Sequence, residues 1–160
     1  MENTQVKAFS LEFLRKKENL TAVIATSTKD GKPHAAVIYY YVDDAFNFYF
    51  LTAHNTRKYK TLIQNPHISF TIGFGFQYIT IQGWGTAHIL EKNSDVENEI
   101  ILNINNRLHA NDYHWPIFQI PRYEKEELCV FKIVPNELRL LNLDQENYVV
   151  TFKNDFQNII

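Results

Sequence analysis

Between Leu20 and Ala53 the chain sets three β-type runs end to end with almost nothing between them. LTAVIATST is followed by KDGK, then by HAAVIYYYV behind Pro33, then by an acidic turn at Asp43-Asp44-Ala45 and the run FNFYFLT. Asp30-Gly31 is a strong hairpin signal, because the turn needs a residue at ease with positive φ. Parallel strands need a crossover of a dozen or more residues, and these connections are far too short for one. The spacing therefore predicts an antiparallel three-stranded meander.

The remaining elements fit around it. Val6, Phe9, Phe13 and Leu14 fall at helical spacing within Thr4 to Lys17, with Asn3 or Thr4 as cap. Thr56 to Asn65 predicts a helix of about three turns, with Tyr59, Leu62 and Ile63 on one face and Pro66 as its stop. HISFTIGF and QYITIQGWGTAHIL read as strands four and five, and Gly83 and Gly85 mark a bulge, a bend or a close backbone approach. SDVENEIILNINNRL reads as a helix starting at Ser94 with acidic residues in its first turn. HANDYHWPIFQIPRYEKEE is expected to be irregular, ELCVFKIVP and ELRLLNL to be two closing strands, and the last fifteen residues carry no clear pattern. Six or seven strands with peripheral helices point to a barrel more than to an open sheet.

Composition narrows the function class. A chain of 160 residues suits a single domain, residues 1–160, with a substantial core. Twelve Phe, nine Tyr and two Trp favour half-buried pleated surfaces. A net charge of −2 and a pI near 6.3 give no long-range attraction to nucleic acid or to anionic membranes. No apolar stretch approaches the roughly 18 residues of a membrane span. The N-terminus lacks a signal-peptide core, so the cytoplasm is the expected location. The lone Cys129 excludes an internal disulfide and reads as a small hydrophobe in a buried strand.

The stretch TAHNTRKYKTLIQNP carries the functional signal. Thr56, Arg57 and Lys58 open a helix whose N-terminus already presents positive partial charge, so the two cations oppose the macrodipole. On stability grounds the choice is poor. A helix N-terminus is a ready phosphate seat, Arg57 could clamp a phosphate through two N–H bonds and Lys58 could add a compact charge. Thr56 could cap the helix and donate its hydroxyl. The plain alternative is a capped surface helix with two solvated cations.

The order helix, strand, Asp-Gly turn, strand, turn, strand ending in Thr, then T-R-K opening a helix that ends in N-P, resembles the pyridoxamine 5′-phosphate oxidase-like family of FMN-binding split barrels. The matching text runs from ATSTKDGKPHAAVIYYYV through FNFYFLTAHNTRKYKTLIQNPHISF, with GTAHIL as a second match. The resemblance implies a mainly β fold, a six-stranded antiparallel split β-barrel with flanking short helices, assembled as a homodimer. It implies FMN in a groove between two subunits, with Arg57, Lys58 and Thr56 at the phosphate and Thr52 at the phosphate or the flavin edge. Val37, Ile38 and Tyr39 would run beside the isoalloxazine ring, and Thr80 would supply a polar contact, with Gln82 on the same face. The vitamin-B6 oxidases of the family carry basic residues where this chain has Ala36 and Tyr41, and their C-terminal Trp and Arg-x-His elements are not found. Pyridoxamine phosphate oxidation is therefore not expected.

The implied function is an FMN-dependent oxidoreductase acting on a small organic molecule. The alternatives are a non-catalytic barrel holding haem, flavin, a deazaflavin or another small ligand, and a structural dimer without cofactor. A flavin brings its own redox chemistry, and no catalytic triad is visible: Ser10, Ser27, Ser69 and Ser94 lie in no nucleophile-elbow setting. Asp43 and Asp44 read as a solvated turn. His109, Asp112 and His114 have metal-compatible types without helical ligand spacing, so no metal is expected. His54 could face a phosphate but reads better as an exposed loop residue. Trp84 and Trp115 read as core or interface.

Overall fold

The structure, a computed structural model, describes residues 3–73, 78–110, 127–143 and 156–160. A helix α1 (Asn3–Arg15) precedes strands β1 (Thr21–Ser27), β2 (Pro33–Tyr39), β3 (Tyr41–Val42) and β4 (Phe48–Ala53). Helix α2 (Arg57–Gln64), β5 (His67–Gly73), β6 (Ile79–Ile89), α3 (Asp95–His109), β7 (Leu128–Asn142) and β8 (Phe156–Asn158) follow. Every pairing is antiparallel, and the order across the sheet is β2-β1-β5-β6-β7-β4-β3, with β8 added on β7. Among the described residues, no helix is long and apolar enough to cross a membrane.

The expected barrel is present, with a different count. The sheet path starts on β2 and ends on β3, yet only Tyr40 separates those segments in the chain. The run HAAVIYYYV is thus one bent stretch that pairs with β1 through its first part and with β4 through its last. The meander is present in its order of pairing, but β4 bonds only to the β3 end of this stretch and takes β7 as its other neighbour. Alternation explains the bend. Tyr40 turns its ring into the core, 1% exposed, while Tyr39 and Tyr41 face the opposite side. The Tyr40 hydroxyl then donates to Leu14 O at 2.8 Å, tying the bend to the end of α1.

A second correction concerns the closing strands. ELCVFKIVP and ELRLLNL form one strand, β7, that passes through Pro135 without ending. Pro135 is tolerated because the ladder with β6 shifts there: Gly85 faces Pro135 and Trp84 faces Glu137, leaving Asn136 as the extra residue. Gly85 is required opposite, since a Cβ there would collide with the Val134 carbonyl and with Pro135 Cα.

The inward faces supply the main core, built from Ile24, Ile38, Phe48, Phe50, Phe70, Ile81, Phe131 and Leu138 with Leu14 of α1. A smaller cluster joins Ile100, Ile104 and Leu108 of α3 to Tyr49 and Val130 on the outer side of β4 and β7. Arg107, which the sequence did not mark, bonds the Leu14 and Asn19 carbonyls at 2.6 Å each and sits 4.8 Å from the Tyr40 ring centre. It closes the carbonyl end of α1, where a cation is favoured.

Candidate functional site

Helix α2 is held at both ends. Thr56 Oγ1 accepts from Tyr59 N–H at 3.3 Å and lies 2.9 Å from Thr52 Oγ1. Asn65 donates from Nδ2 to Ser27 O at 2.9 Å, pinning the far end to the last residue of β1. Tyr59 and Leu62 pack inward as the spacing predicts, whereas Ile63 is 53% exposed, so the buried stripe is narrower than expected and includes Thr61.

This placement sends the two cations to different sides. Successive helical residues diverge by about 100°. Lys58 enters a cleft of about 150 Å³ walled by Val37, Ile38 and Tyr39, by Leu51 of β4, and by Ile104 and Leu108 of α3. Arg57 instead lines a separate cavity with Lys60, Lys32 and His34. Lys58 is half-buried, and burial lowers its pKa from the ordinary lysine value.

The structure thus brings Val37, Ile38, Tyr39 and Lys58 together. Thr56 and Thr52 stand behind them, joined to each other through their hydroxyls. Thr52 is 4% exposed on the inward side of β4, where it supports Thr56. Thr80 is 2% exposed and does not line the cleft: its hydroxyl donates to Ile72 O at 3.1 Å and meets Thr71 Oγ1 at 3.2 Å. Gln82 is exposed and faces Thr71. Ile104 and Leu108 were missed as site residues, because helical periodicity marks an apolar face without saying what it covers.

Other candidates have structural employment. Asp43 accepts from the N–H groups of Ala45 and Asn47 and from the Tyr49 hydroxyl, and Asp44 pairs with Arg15 at 2.7 Å. Those contacts fasten the β3–β4 turn. Cys129 is 3% exposed and burial pushes its thiol up to about 12, so it stays protonated near neutral pH. His54 is exposed and stacks on Tyr59 with ring centres 4.7 Å apart. Among the described residues no group of three His, Cys, Asp or Glu side chains gathers to hold a metal ion. Asp112, His114 and Trp115 lie outside the described residues, as do Phe74, Gln77, residues 111–126 and most of the C-terminal tail.

Val37, 65% exposed, faces Val23, 44% exposed, across the β1–β2 ladder, and Trp84, 48% exposed, lies on the same side of the sheet. These apolar side chains share the outer surface of β2, β1 and β6 with polar neighbours such as Thr71 and Gln82.

The fold has many solved counterparts. A Listeria innocua protein carrying a provisional pyridoxamine 5′-phosphate oxidase name is 22% identical, with a TM-score of 0.66 over 86% of this chain and 98% of that one. General Stress Protein 26 of Bacillus anthracis is 24% identical, with a TM-score of 0.64 over 84% and 92%. HutZ, a haem storage protein of Vibrio cholerae, is 16% identical, with a TM-score of 0.67 over 85% and 96%. At these identities the likeness is one of fold. No curated protein matches the chain in sequence. The family profile described as pyridoxamine 5′-phosphate oxidase, however, matches residues 8–142, from α1 through the end of β7. With its barrel, its capped α2 and that match over most of its length, the chain belongs to the pyridoxamine 5′-phosphate oxidase family.

Proposed function

We propose that the Lys58 cleft binds FMN and that the protein is a homodimeric flavin oxidoreductase acting on a small organic molecule. One observation carries the reading. Lys58 is a half-buried cation whose pKa is lowered by burial, in a cleft with no carboxylate among the described residues that line it. An anion from outside the chain would offset the loss of water at this cation. The N-terminus of α2 adds unpaired backbone N–H groups beside it, and Arg57 is near enough in sequence to swing towards the same phosphate.

The walls fit the rest of the group. β2 ends the sheet path, so it carries a ladder on one side only, and Val37 and Ile38 lie where ring heteroatoms could meet backbone groups. Ile104 and Leu108 offer an apolar surface for a flat ring. A cleft of about 150 Å³ is small beside the roughly 300–1,000 Å³ of sites that enclose whole ligands. A second subunit, docked on the outer face around Val37, Val23 and Trp84, would complete it. A bound flavin supplies hydride and single-electron chemistry, while this chain's residues anchor the phosphate and exclude water from the ring. Thr80 belongs to this proposal only through its support of Thr71 on the shared sheet face.

A non-catalytic barrel that stores or senses haem or another small ligand is the second reading. Ala36 and Tyr41 favour it, since neither adds a cation and Tyr41 packs instead against the Tyr49 ring, 6.1 Å between centres. The visible spectrum of the purified protein decides between them. A flavin band, with FMN released on denaturation and a two-chain mass by sedimentation, supports the first reading. A haem Soret band, or a colourless protein that takes up no FMN, overturns it.

A further inference from the structure

The walls of the Lys58 cleft come from elements that are not paired with each other. Val37, Ile38 and Tyr39 close β2, which pairs with β1, and Leu51 belongs to β4, which pairs with β3 and β7. Ile104 and Leu108, from the last two turns of α3, form the third side. No ladder sets the spacing of these walls. It depends on how firmly the chain is held at Tyr40, directly after Tyr39, and on where the end of α3 is fastened.

Arg107 holds both. It falls between Ile104 and Leu108 in the sequence and does not itself line the cleft. Its guanidinium lies 4.8 Å from the Tyr40 ring centre and donates to the Leu14 and Asn19 carbonyls at 2.6 Å each. The Tyr40 hydroxyl donates to the same Leu14 carbonyl at 2.8 Å, so that oxygen accepts from both partners and uses both its lone pairs. Tyr40 is thus fixed through its ring face and through its hydroxyl. A planar fork can lie on a ring and reach two carbonyls at once, which a lysine ammonium cannot.

Closing the end of α1 does not by itself call for a residue 93 positions away in the chain. Arg15, in the last turn of α1, is directed elsewhere, to Val42 O at 3.3 Å and Asp44 at 2.7 Å. The end of α1 therefore serves as the anchor on which the Tyr40 bend and α3 are joined.

We propose that Arg107 is a positioning residue for the Lys58 cleft: by locking the Tyr40 bend to the last turn of α3, it fixes the spacing of the walls that grip the ring of a bound flavin. The inference rests on the flavin reading and divides its labour. Lys58 answers for the phosphate end, and Arg107, acting through the walls, answers for the ring end.

FMN and riboflavin separate the two ends. In fluorescence titrations Arg107→Lys should bind both about tenfold more weakly than the wild type, with the preference for FMN unchanged because the phosphate contacts are intact. Tyr40→Phe removes only the hydroxyl that meets Leu14 O and should act in the same direction by a smaller factor. In both variants the visible circular dichroism of the bound flavin should shrink, because the ring is held less firmly. Ile133→Val trims the core away from the cleft and should lower the melting temperature while leaving affinity and dichroism as they were. Affinity and dichroism unaltered in Arg107→Lys, or in Tyr40→Phe where Arg107→Lys does not fold, overturn the proposal. So does a loss confined to FMN, or one that Ile133→Val reproduces. A wild-type protein that takes up neither flavin overturns the flavin reading and this inference with it.

Discussion

Two helices of this protein begin in opposite ways. α3 starts with Ser94 accepting from Glu97 N–H at 3.1 Å, carries Asp95 and Glu97 in its first turn, and ends with Arg107 and His109. Every charge complements the macrodipole. α2 starts with an equally good cap, Thr56, but has no acidic residue in its first turn and no basic one in its last. Its cations, Arg57, Lys58 and Lys60, crowd the end where they are least welcome. The same chain thus follows the stability rule at one helix and breaks it at the other. The breach coincides with the two cavities beside α2, and local inconsistency of this kind is expected at functional sites.

The largest effect should fall on ligand binding at α2. Combining Arg57→Ala with Lys58→Ala should weaken FMN binding by about 3 kcal/mol, roughly 150-fold, if each loses one charge-assisted hydrogen bond. Titration calorimetry checks this, and unchanged affinity would remove the contrast between the helices. At α3 the loss should be in stability instead. Glu97 is fully buried and accepts from Asn93 N–H at 2.7 Å, so Glu97→Ala should cost about 2 kcal/mol in a denaturant melt.

Thr56→Ala comes next, at about 1 kcal/mol, because it removes the cap and leaves Thr52 Oγ1 without its neighbour. Reversing a cation at α2 should do the opposite. Lys60→Glu should raise the thermal stability of the ligand-free protein by roughly 0.5 kcal/mol at low salt, the dipole and like-charge terms both improving. A fall in stability would mean the cations serve the fold after all.

The smallest effect is one of pH. Burial lowers the Lys58 pKa, so the free folded protein releases that proton before the unfolded chain does, whose lysines titrate near about 10.4. Between the two values the unfolded chain binds more protons, and the stability contribution of this group rises with pH. A bound phosphate favours the ammonium, so FMN affinity should fall as pH rises through the lowered value. Lys58→Ala should flatten that profile.

Much of the architecture was legible because it rests on local rules. The Asp30-Gly31 turn, the caps Thr56 and Ser94, and the alternation through Tyr39, Tyr40 and Tyr41 each follow from one residue's geometry. What escaped depends on which strands become neighbours. The split of HAAVIYYYV between β1 and β4, and the passage of β7 through Pro135, are fixed by the Gly85 bulge and by barrel closure. The site was half legible for the same reason. The cations announced themselves by opposing a dipole, but their divergence to two cavities follows from where α2 docks, and Ile104 and Leu108 reach the cleft only through the packing of α3.

The most direct test compares FMN with riboflavin, which has the same ring and lacks the phosphate. Fluorescence titration of the wild-type protein should show FMN bound more tightly than riboflavin by about tenfold or more, with the preference lost in Lys58→Ala. Equal affinity for the two in the wild-type protein, or a preference for FMN that survives Lys58→Ala, would contradict the account.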